Sequence, residues 1–193
     1  MLNFKTYGAI DIGSNAVRLL IANIIESDTI PTQFKKRSLV RVPIRLGADV
    51  FTTNKISEYN EQRILDTMMA FSLLIKSHGV EKYKACATSA MREALNGATV
   101  AKKVKSKSGI EIDIIDGEEE ASIIAATDLN TYIDPDKTYL YVDVGGGSTE
   151  FSVIHLAKKI TSRSFKIGTV RLLNNMVHEN KWTELEQWII YDS

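Results

Sequence analysis

Two short segments of the chain each combine an aspartate with a glycine-containing turn. The first reads DIGSN at residues 11–15, and the second reads DVGGGST at residues 143–149. In both, the aspartate lies at the end of an apolar run, and a second apolar run follows the turn. Glycine tolerates positive φ and lets the backbone come close to a ligand, so successive amide N–H groups can point at phosphate oxygens. The repeated pattern therefore predicts two phosphate-binding loops.

Each predicted loop also supplies side chains for an anion and its counter-ion. Hydroxyl and amide side chains beside the glycines can add hydrogen-bond donors, and an aspartate at the end of each strand can hold Mg²⁺ against the same phosphates. The predicted metal ligands are Asp11 and Asp143. The predicted phosphate-binding residues are Gly13, Ser14 and Asn15 in the first loop and Gly145, Gly146, Gly147, Ser148 and Thr149 in the second.

A single loop of this kind is also compatible with an ordinary glycine-rich hairpin, whose aspartate merely satisfies turn amides. The matched pair favours a clamp that holds one phosphate from two sides. Neither loop has the Walker A spacing, because no Lys-Ser or Lys-Thr follows the glycines, and neither fits G-x-G-x-x-G. The pattern therefore belongs to neither of these nucleotide-binding motifs.

Composition limits the kinds of partner. The 193 residues carry 24 Lys and Arg against 24 Asp and Glu, and this balance argues against broad binding to DNA or RNA, so any anion site must be local. The single cysteine, Cys86, allows neither an internal disulfide nor a zinc cluster, and we interpret it as a buried structural thiol in a reducing, cytoplasmic setting. No apolar run reaches the ~20 residues of a membrane span, so we expect no membrane association.

The elements that must position the loops are predicted from apolar periodicity. Apolar runs at residues 7–10 and 17–25 predict a β-hairpin around the first loop, and alternation over residues 38–46 predicts another strand. Ser57 is a candidate N-cap for a helix through Lys76, which Gly79 ends. Residues 83–88 predict a buried strand that leads into a short helix through Arg92, and residues 100–108 predict a surface helix that Gly109 ends.

The second half of the chain follows the same logic. A strand at residues 111–115 and a helix at residues 118–129 precede a turn at residues 134–136. Strands at residues 139–144 and 150–156 flank the second loop, another strand covers residues 159–165, and helices begin at Gly168-Thr169 and cover residues 182–191. Strands in runs with intervening helices indicate an α/β protein, and the segment after Asp134 begins a second unit.

Five segments occur in a characteristic order: AIDIGSNAVRLL (residues 9–20), ATSAMREALN (87–96), IIDGEEEA (114–121), VDVGGGSTE (142–150) and IGTVRL (167–172). Together they resemble the exopolyphosphatase and guanosine pentaphosphate phosphatase family, a branch of the actin, Hsp70 and sugar-kinase superfamily. The resemblance implies a ribonuclease H-like, actin-like ATPase fold in each of two domains, with the active site between them. Residues 1–126 would form a complete first domain, and residues 127–193 the first part of a second.

The resemblance also assigns roles to charged residues. Arg18 matches a position just beyond the first loop and is a candidate phosphate ligand. Arg92 matches the arginine that reaches the phosphate. The proposed general base falls on Glu120, or on Glu119 if the register shifts within the three consecutive glutamates, and Glu150 is the reserve candidate. Without the family, an acidic run in the first turn of a helix would simply complement the helix dipole.

The implied function is that of an exopolyphosphatase, which hydrolyses the terminal phosphoanhydride of inorganic polyphosphate with Mg²⁺ and a glutamate base. A guanosine pentaphosphate phosphohydrolase has the same motifs and is the nearest alternative. A superfamily kinase and a non-catalytic, actin-like binding module are further alternatives. The resemblance also implies a homodimer. Because family members are longer than this chain, we expect weak or absent activity from these 193 residues alone.

Overall fold

Two β-sheets are present in the computed structural model, which describes residues 3–26, 32–125, 134, 136–156, 158–174 and 176–192. The strands of the first sheet, in chain order, are β1 (Asn3–Ile12), β2 (Val17–Glu26), β3 (Gln33–Val42), β4 (Lys82–Ala87) and β5 (Asp113–Ile114). In space the order is β3-β2-β1-β4-β5, and β1 is antiparallel to β2 but parallel to β4. The strand that carries the first loop is therefore the central strand of its sheet.

Helices cover one face of this sheet. They are α1 (Leu46–Thr53), α2 (Glu58–Ser77), α3 (Ser89–Glu93) and α4 (Gly97–Ser108), and α5 (Gly117–Ala125) follows β5. Ile10 and Ile12 of β1 pack in one core with Met68 and Phe71 of α2. Because side chains alternate across a strand, the register that buries these isoleucines turns Asp11 to the opposite face. Burial of the core therefore places the first predicted metal ligand on the face without these helices.

The second sheet is a three-stranded antiparallel meander. Its strands are β6 (Thr138–Val144), β7 (Thr149–His155) and β8 (Lys158–Phe165), in that spatial order. The helices α6 (Thr169–Leu173) and α7 (Glu179–Gln187) follow, and α7 continues into a π-helical turn, Trp188–Asp192. The rings of Phe151, Phe165 and Trp188 form a core, with centroids 5.7 to 6.0 Å apart. This second, smaller core holds β7 and β8 behind the second loop.

Several predicted elements are confirmed. The hairpin around the first loop is formed by β1 and β2, and the long helix begins where its cap was predicted, because the Ser57 hydroxyl accepts a hydrogen bond from Asn60 N (3.2 Å). That helix ends before Gly79, which adopts φ 64°. Gly109 likewise ends α4 with φ 75°. Capping and glycine signals were therefore sufficient to locate these helix ends.

The strand predicted at residues 38–46 is wrong in its bounds. It runs over Gln33–Val42, and Leu46 begins α1, which the sequence analysis missed. Pro43 has no N–H group with which to extend the ladder, and Arg45 turns the chain with a left-handed φ of 63°. The strand predicted at residues 111–115 is also shorter, at two residues, and the last helical segment starts at Glu179 rather than at Trp182.

Three sequence predictions lie outside the described residues. These are the end of the helix predicted through Leu129, the boundary between residues 126 and 127, and Pro135 of the predicted turn. Within the part of the chain that the structure describes, no helix combines the length and the apolar character that crossing a bilayer requires.

Candidate functional site

The two predicted loops have the same local geometry. The first is closed by a hydrogen bond from Gly13 N to Ala16 O (3.1 Å), and the second by one from Gly145 N to Ser148 O (2.9 Å). In each case the flanking strands pair directly on both sides of a four-residue turn. The repeat seen in the sequence is therefore a repeat in three dimensions.

The two loops lie side by side at one cavity of about 470 Å³. A Cβ atom added to Gly146 would lie 3.0 Å from Ser14 Cβ and 3.6 Å from Asn15 N. This close approach favours a glycine at position 146, because a Cβ atom there would make an unusually tight contact with the first loop. The predicted residues that line the cavity are Asp11, Gly13, Ser14, Asn15, Arg18, Glu120, Asp143, Gly145, Gly146 and Ser148.

The second loop is held from behind by α6. Three consecutive carbonyl groups accept hydrogen bonds: Gly145 O from Thr169 N (2.9 Å), Gly146 O from Val170 N (2.9 Å) and Gly147 O from Arg171 Nε (2.6 Å). In a trans peptide unit the carbonyl and the following N–H group point in opposite directions. The N–H groups of residues 146, 147 and 148 are therefore turned away from α6.

The first loop is held in the same way by α1. Gly47 N donates to Ser14 O (2.7 Å), and Arg45 N donates to Asn15 O (2.9 Å). The buried hydroxyl groups of Ser14 and Ser89 are hydrogen-bonded to each other at 2.8 Å. The loop is thus attached to α1 through its backbone and to α3 through a side chain.

Five loop amides remain available for a ligand. Within the described part of the chain, their N–H groups donate to no protein acceptor; they belong to Ser14, Asn15, Gly146, Gly147 and Ser148. Adjacent N–H groups that converge without a protein acceptor form an anion-binding concavity. The arrangement can therefore surround a phosphoryl group from both loops.

Glu120 of α5 lies beside this amide-lined region. Its Oε2 atom is buried without a hydrogen-bond partner among the described residues and lies 3.7 Å from Arg92 Nη1. The pKa of Glu120 is raised from its ordinary 4.5 to about 7. Burial is the main cause, the negative charge of Glu150 adds to the rise, and Arg92 opposes it. A carboxyl group with a pKa near neutrality can take up and release a proton under physiological conditions.

Glu119 and Glu120 have different environments in the structure. Glu119 is half exposed, lies 3.7 Å from Lys84 Nζ and is not part of the cavity wall. Glu120 is only 17% exposed and lines the cavity. Of the two glutamates that the sequence left open, Glu120 is therefore the one placed to act on a ligand in the cavity.

Asp11 and Asp143 face the same cavity from the ends of β1 and β6. Burial raises the pKa of Asp11; Arg18, 3.6 Å away, opposes this, and Asp143 adds to it. The described residues contain no group of three or more His, Cys, Asp or Glu arranged for a metal. Two carboxylates nevertheless suit Mg²⁺, which usually keeps several waters and takes its other ligands from substrate phosphates.

Four predicted site residues do not line the cavity: Arg92, Gly147, Thr149 and Glu150. Arg92 lies behind Glu120 and donates to Ile115 O (2.6 Å). The Thr149 hydroxyl donates to Ile167 O, so its proton is already committed to the protein. Glu150 is buried and accepts a hydrogen bond from Ser164 Oγ (2.7 Å). The roles predicted for these four residues stay predictions. Of the four, Arg92 and Glu150 influence the pKa of Glu120 through their charges.

Other residues at the site were missed by the sequence analysis. Lys84, Cys86, Thr88, Ser89 and Ile123 line the cavity, and Cys86 is half-buried there rather than a fully buried core thiol. The alternation of β4 brings Lys84 and Cys86 to the same face as Asp11, because these strands are parallel and Cys86 pairs with Asp11. That pairing is long-range, so no local sequence signal could have revealed it.

The fold and the site together define a class of protein, an actin-like α/β fold that presents a glycine-containing loop from each of two sheets to one cavity. Comparison with known proteins identifies the branch. The Ppx/GppA phosphatase family model matches residues 31–189. The crystal structure of the Aquifex aeolicus member of this family has a TM-score of 0.75 and 27% identity, and the match covers 94% of this chain and 59% of that chain.

The chain belongs to the Ppx/GppA phosphatase family, which confirms the predicted family and fold class. It is 33% identical over 167 residues to a guanosine-5'-triphosphate,3'-diphosphate pyrophosphatase of Photobacterium profundum, covering 86% of this chain and 32% of the relative. It is 30% identical over 145 residues to exopolyphosphatase 1 of Mycobacterium bovis, covering 75% of this chain and 41% of the relative. The chain thus spans less than half the length of these relatives.

Replacing Glu120 with glutamine should change stability in a pH-dependent way. The raised pKa means that the folded protein holds the Glu120 proton to about pH 7, so this stabilising contribution is present below pH 4.5 and is lost as pH rises through 7. The melting temperature of Glu120→Gln minus that of the wild type should therefore be a few degrees larger at pH 8 than at pH 5, measured in metal-free buffer. The exposed Glu119→Gln variant is the control. If the difference in melting temperature between Glu120→Gln and the wild type is the same at pH 5 and pH 8, the raised pKa of Glu120 is contradicted.

A methyl group on Gly147 should push the second loop away from Ser89 of α3 and Phe51 of α1. Its Cβ would lie 2.3 Å from Ser89 Oγ, 2.9 Å from Ser89 Cβ and 2.5 Å from Phe51 Cζ. We expect Gly147→Ala to weaken phosphate binding about tenfold or more, measured by calorimetry or by the phosphate-dependent shift of the melting temperature. Gly79→Ala is the control, because it strains a left-handed residue with open space around it and should lower stability without changing phosphate affinity. Equal losses of phosphate affinity in both variants would argue against a specific role for the loop.

Proposed function

We propose that this protein is a phosphoanhydride hydrolase that removes the terminal phosphoryl group of inorganic polyphosphate. The observation that carries the proposal is the juxtaposition of Glu120, whose Oε2 atom accepts no hydrogen bond from the described residues, with the free loop amides of Ser14, Asn15, Gly146 and Ser148 around one cavity. Membership of the Ppx/GppA phosphatase family supports it. A relative named as a guanosine-5'-triphosphate,3'-diphosphate pyrophosphatase supports guanosine pentaphosphate as the second candidate substrate.

In the proposed reaction the loop amides bind the oxygens of the terminal phosphoryl group. Hydrogen bonds from fixed N–H groups need no reorganisation as negative charge shifts in the transition state, so they favour transfer as well as binding. Side chains add donors, chiefly the amide of Asn15 and the hydroxyl of Ser148. Phosphoryl transfer needs little covalent assistance, and positioning of this group supplies much of the catalysis.

Glu120 acts as the general base in this scheme. Its carboxylate accepts a proton from a water molecule, the water oxygen forms a bond to the terminal phosphorus, and the bridging P–O bond breaks, leaving orthophosphate and a shortened chain. Because the pKa of Glu120 is about 7, the carboxylate form is fully available only above neutral pH. Activity should therefore rise with pH through 7 on the acidic side of its optimum.

The remaining charged residues manage the negative charge of the substrate. Arg92 lies 3.7 Å from Glu120 Oε2 and favours the ionised base, while Arg18 faces the cavity beside Asp11. Asp11 and Asp143 are the side chains that would hold Mg²⁺. A bound Mg²⁺ ion would neutralise the charge on the phosphate oxygens. Its carboxylate ligands are on the two halves of the structure, which fits a group bound between them.

Phosphate release tests the proposed reaction. The purified protein should release orthophosphate from polyphosphate in the presence of Mg²⁺, but only slowly when these 193 residues are assayed alone. Glu120→Gln should lower kcat by about 10²-fold or more while phosphate binding is retained, because a general base contributes about this much. Glu119→Gln should leave kcat nearly unchanged. Loss of activity in Glu119→Gln but not in Glu120→Gln would reverse the assignment of the base.

Substrate choice is tested in the same assay. Polyphosphate and guanosine pentaphosphate are compared at equal phosphate concentration, and the proposal expects the higher kcat/KM with polyphosphate. Cleavage of the nucleotide alone would establish the second candidate, and transfer of phosphate to a small acceptor without hydrolysis would indicate a kinase instead.

The metal assignment leads to a separate prediction. Asp143→Asn removes one of the two carboxylate charges, so the Mg²⁺ concentration for half-maximal phosphate release should rise by about tenfold or more. Asp113→Asn is the control, because Asp113 is an exposed aspartate of β5 that lies 3.9 Å from Lys84 and outside the cavity wall. An unchanged Mg²⁺ requirement in Asp143→Asn would remove Asp143 from the metal site.

A further inference from the structure

Arg171 is a buried charged residue to which the sequence analysis assigned no role. It lies in α6, within the segment IGTVRL at residues 167–172, and only 8% of the residue is exposed. A charge is seldom buried unless it is paired and fully hydrogen-bonded, because removal from water is costly. The partners of Arg171 therefore indicate what its burial maintains.

Those partners lie on both halves of the structure. Arg171 Nε donates to Gly147 O in the second loop (2.6 Å), and Nη2 donates to Glu93 Oε2 at the end of α3 (2.6 Å). The guanidinium carbon lies 3.8 Å from the centroid of the Phe51 ring in α1. One planar side chain thus joins the second loop to two helices of the first half.

The same two helices also hold the first loop. Gly47 of α1 donates to the Ser14 carbonyl, and Ser89 of α3 shares a hydrogen bond with the Ser14 hydroxyl. Both loops are therefore anchored to α1 and α3. The second loop is attached through the hydrogen bonds of Arg171 and through the close packing of Gly147 on Ser89 and Phe51. A change in the contact of Arg171 with these helices would change the separation of the loops.

The bond to Gly147 also sets the direction of an amide. The Gly147 carbonyl is fixed toward Arg171, so the N–H group of Ser148 in the same peptide unit points the opposite way. Ser148 lines the cavity, whereas Gly147 does not. Arg171 therefore controls the orientation of a phosphate-binding donor without touching the ligand.

We propose that Arg171 is a positioning residue that, with Glu93 and Phe51, locks the second phosphate loop against the first half of the protein and sets the width of the cleft. The lock acts on the separation between the loop amides and Glu120. Its effect on turnover rests on the proposed function, but its effect on the cleft does not.

The charges around Glu93 predict which substitutions disrupt the contacts that Arg171 makes with Glu93 and Phe51. Lys166 Nζ lies 3.6 Å from Glu93 Oε1 and is 61% exposed, so it leaves Glu93 partly compensated when Arg171 is replaced. Replacing Glu93 instead leaves Arg171 buried without its anionic partner. Arg171→Met and Glu93→Gln should therefore both open the cleft, and the double variant should be less affected than the sum of the two, because the residues act as one pair.

Cys86 provides a readout of the cleft that does not depend on activity. It is the single cysteine of the chain, it is half-buried, and it lines the cavity. Burial raises the pKa of its thiol, so opening the cleft should increase its reaction with a thiol reagent through better access and a larger thiolate fraction. We expect Arg171→Met and Glu93→Gln to react several-fold faster than the wild type at pH 8, and Arg171→Lys to be intermediate.

The control is Lys181→Met, which removes a cation from α7 that pairs within its own helix with Glu184. It should leave the rate of Cys86 modification unchanged. In the phosphate-release assay, Arg171→Met should lower kcat about 10²-fold, as expected for a small displacement of reacting groups, with little change in KM. Because Arg171→Met could fold poorly, Glu93→Gln is assayed in parallel as the second variant.

The outcomes separate this proposal from the proposed function. If the wild type releases no phosphate but Arg171→Met and Glu93→Gln accelerate Cys86 modification, the lock stands and the proposed reaction fails. If the wild type is active and both folded variants keep the wild-type kcat and Cys86 rate, the lock is refuted. Faster Cys86 modification with an unchanged kcat would also overturn the role of Arg171 in positioning the loop.

Discussion

A trans peptide unit points its carbonyl and the following N–H group in opposite directions, and the proposed phosphate site depends on this constraint. In the second loop, α6 takes three consecutive carbonyls, and in the first loop the start of α1 takes two. The N–H groups that remain are those without a protein acceptor. The helices behind the loops therefore set the direction in which the loop N–H groups point, although no helix residue needs to contact a bound phosphate.

The second physical feature is the concentration of negative charge. Asp11, Asp143 and Glu150 each raise the pKa of Glu120, and burial raises it more than any of them. An anionic substrate in the same cavity would add repulsion, so the site needs positive and dipolar groups nearby. Arg18, Arg92 and the loop amides provide these, and a divalent cation between the aspartates fits the same requirement. The gathered carboxylates cost stability, and the chemistry proposed for the site requires them.

Glycine has two different uses in the loops. Gly146 lies where the two loops come together, and a Cβ there would make a tight contact, 3.0 Å, with Ser14 Cβ. Gly147 is necessary because the second loop packs on the first half of the protein, where Ser89 and Phe51 leave no room for a side chain. From the sequence, both glycines were expected to let the backbone approach a phosphate; in the structure they also allow close contacts within the protein. A glycine-rich loop can therefore mark a place where two parts of a protein meet.

The sequence by itself determined the repeated aspartate-glycine turns, the α/β class, the family and the capped ends of α2, because these depend on local patterns and short motifs. It did not locate α1, and it left Glu119 and Glu120 open, since adjacent residues of a helix differ only in the direction they face. Only the tertiary structure decided that Glu120 faces the cavity, that Cys86 and Lys84 join it, and that Arg171 connects the halves. Each of these results depends on contacts between residues far apart in the chain, and such contacts leave no periodic or local signal in the sequence.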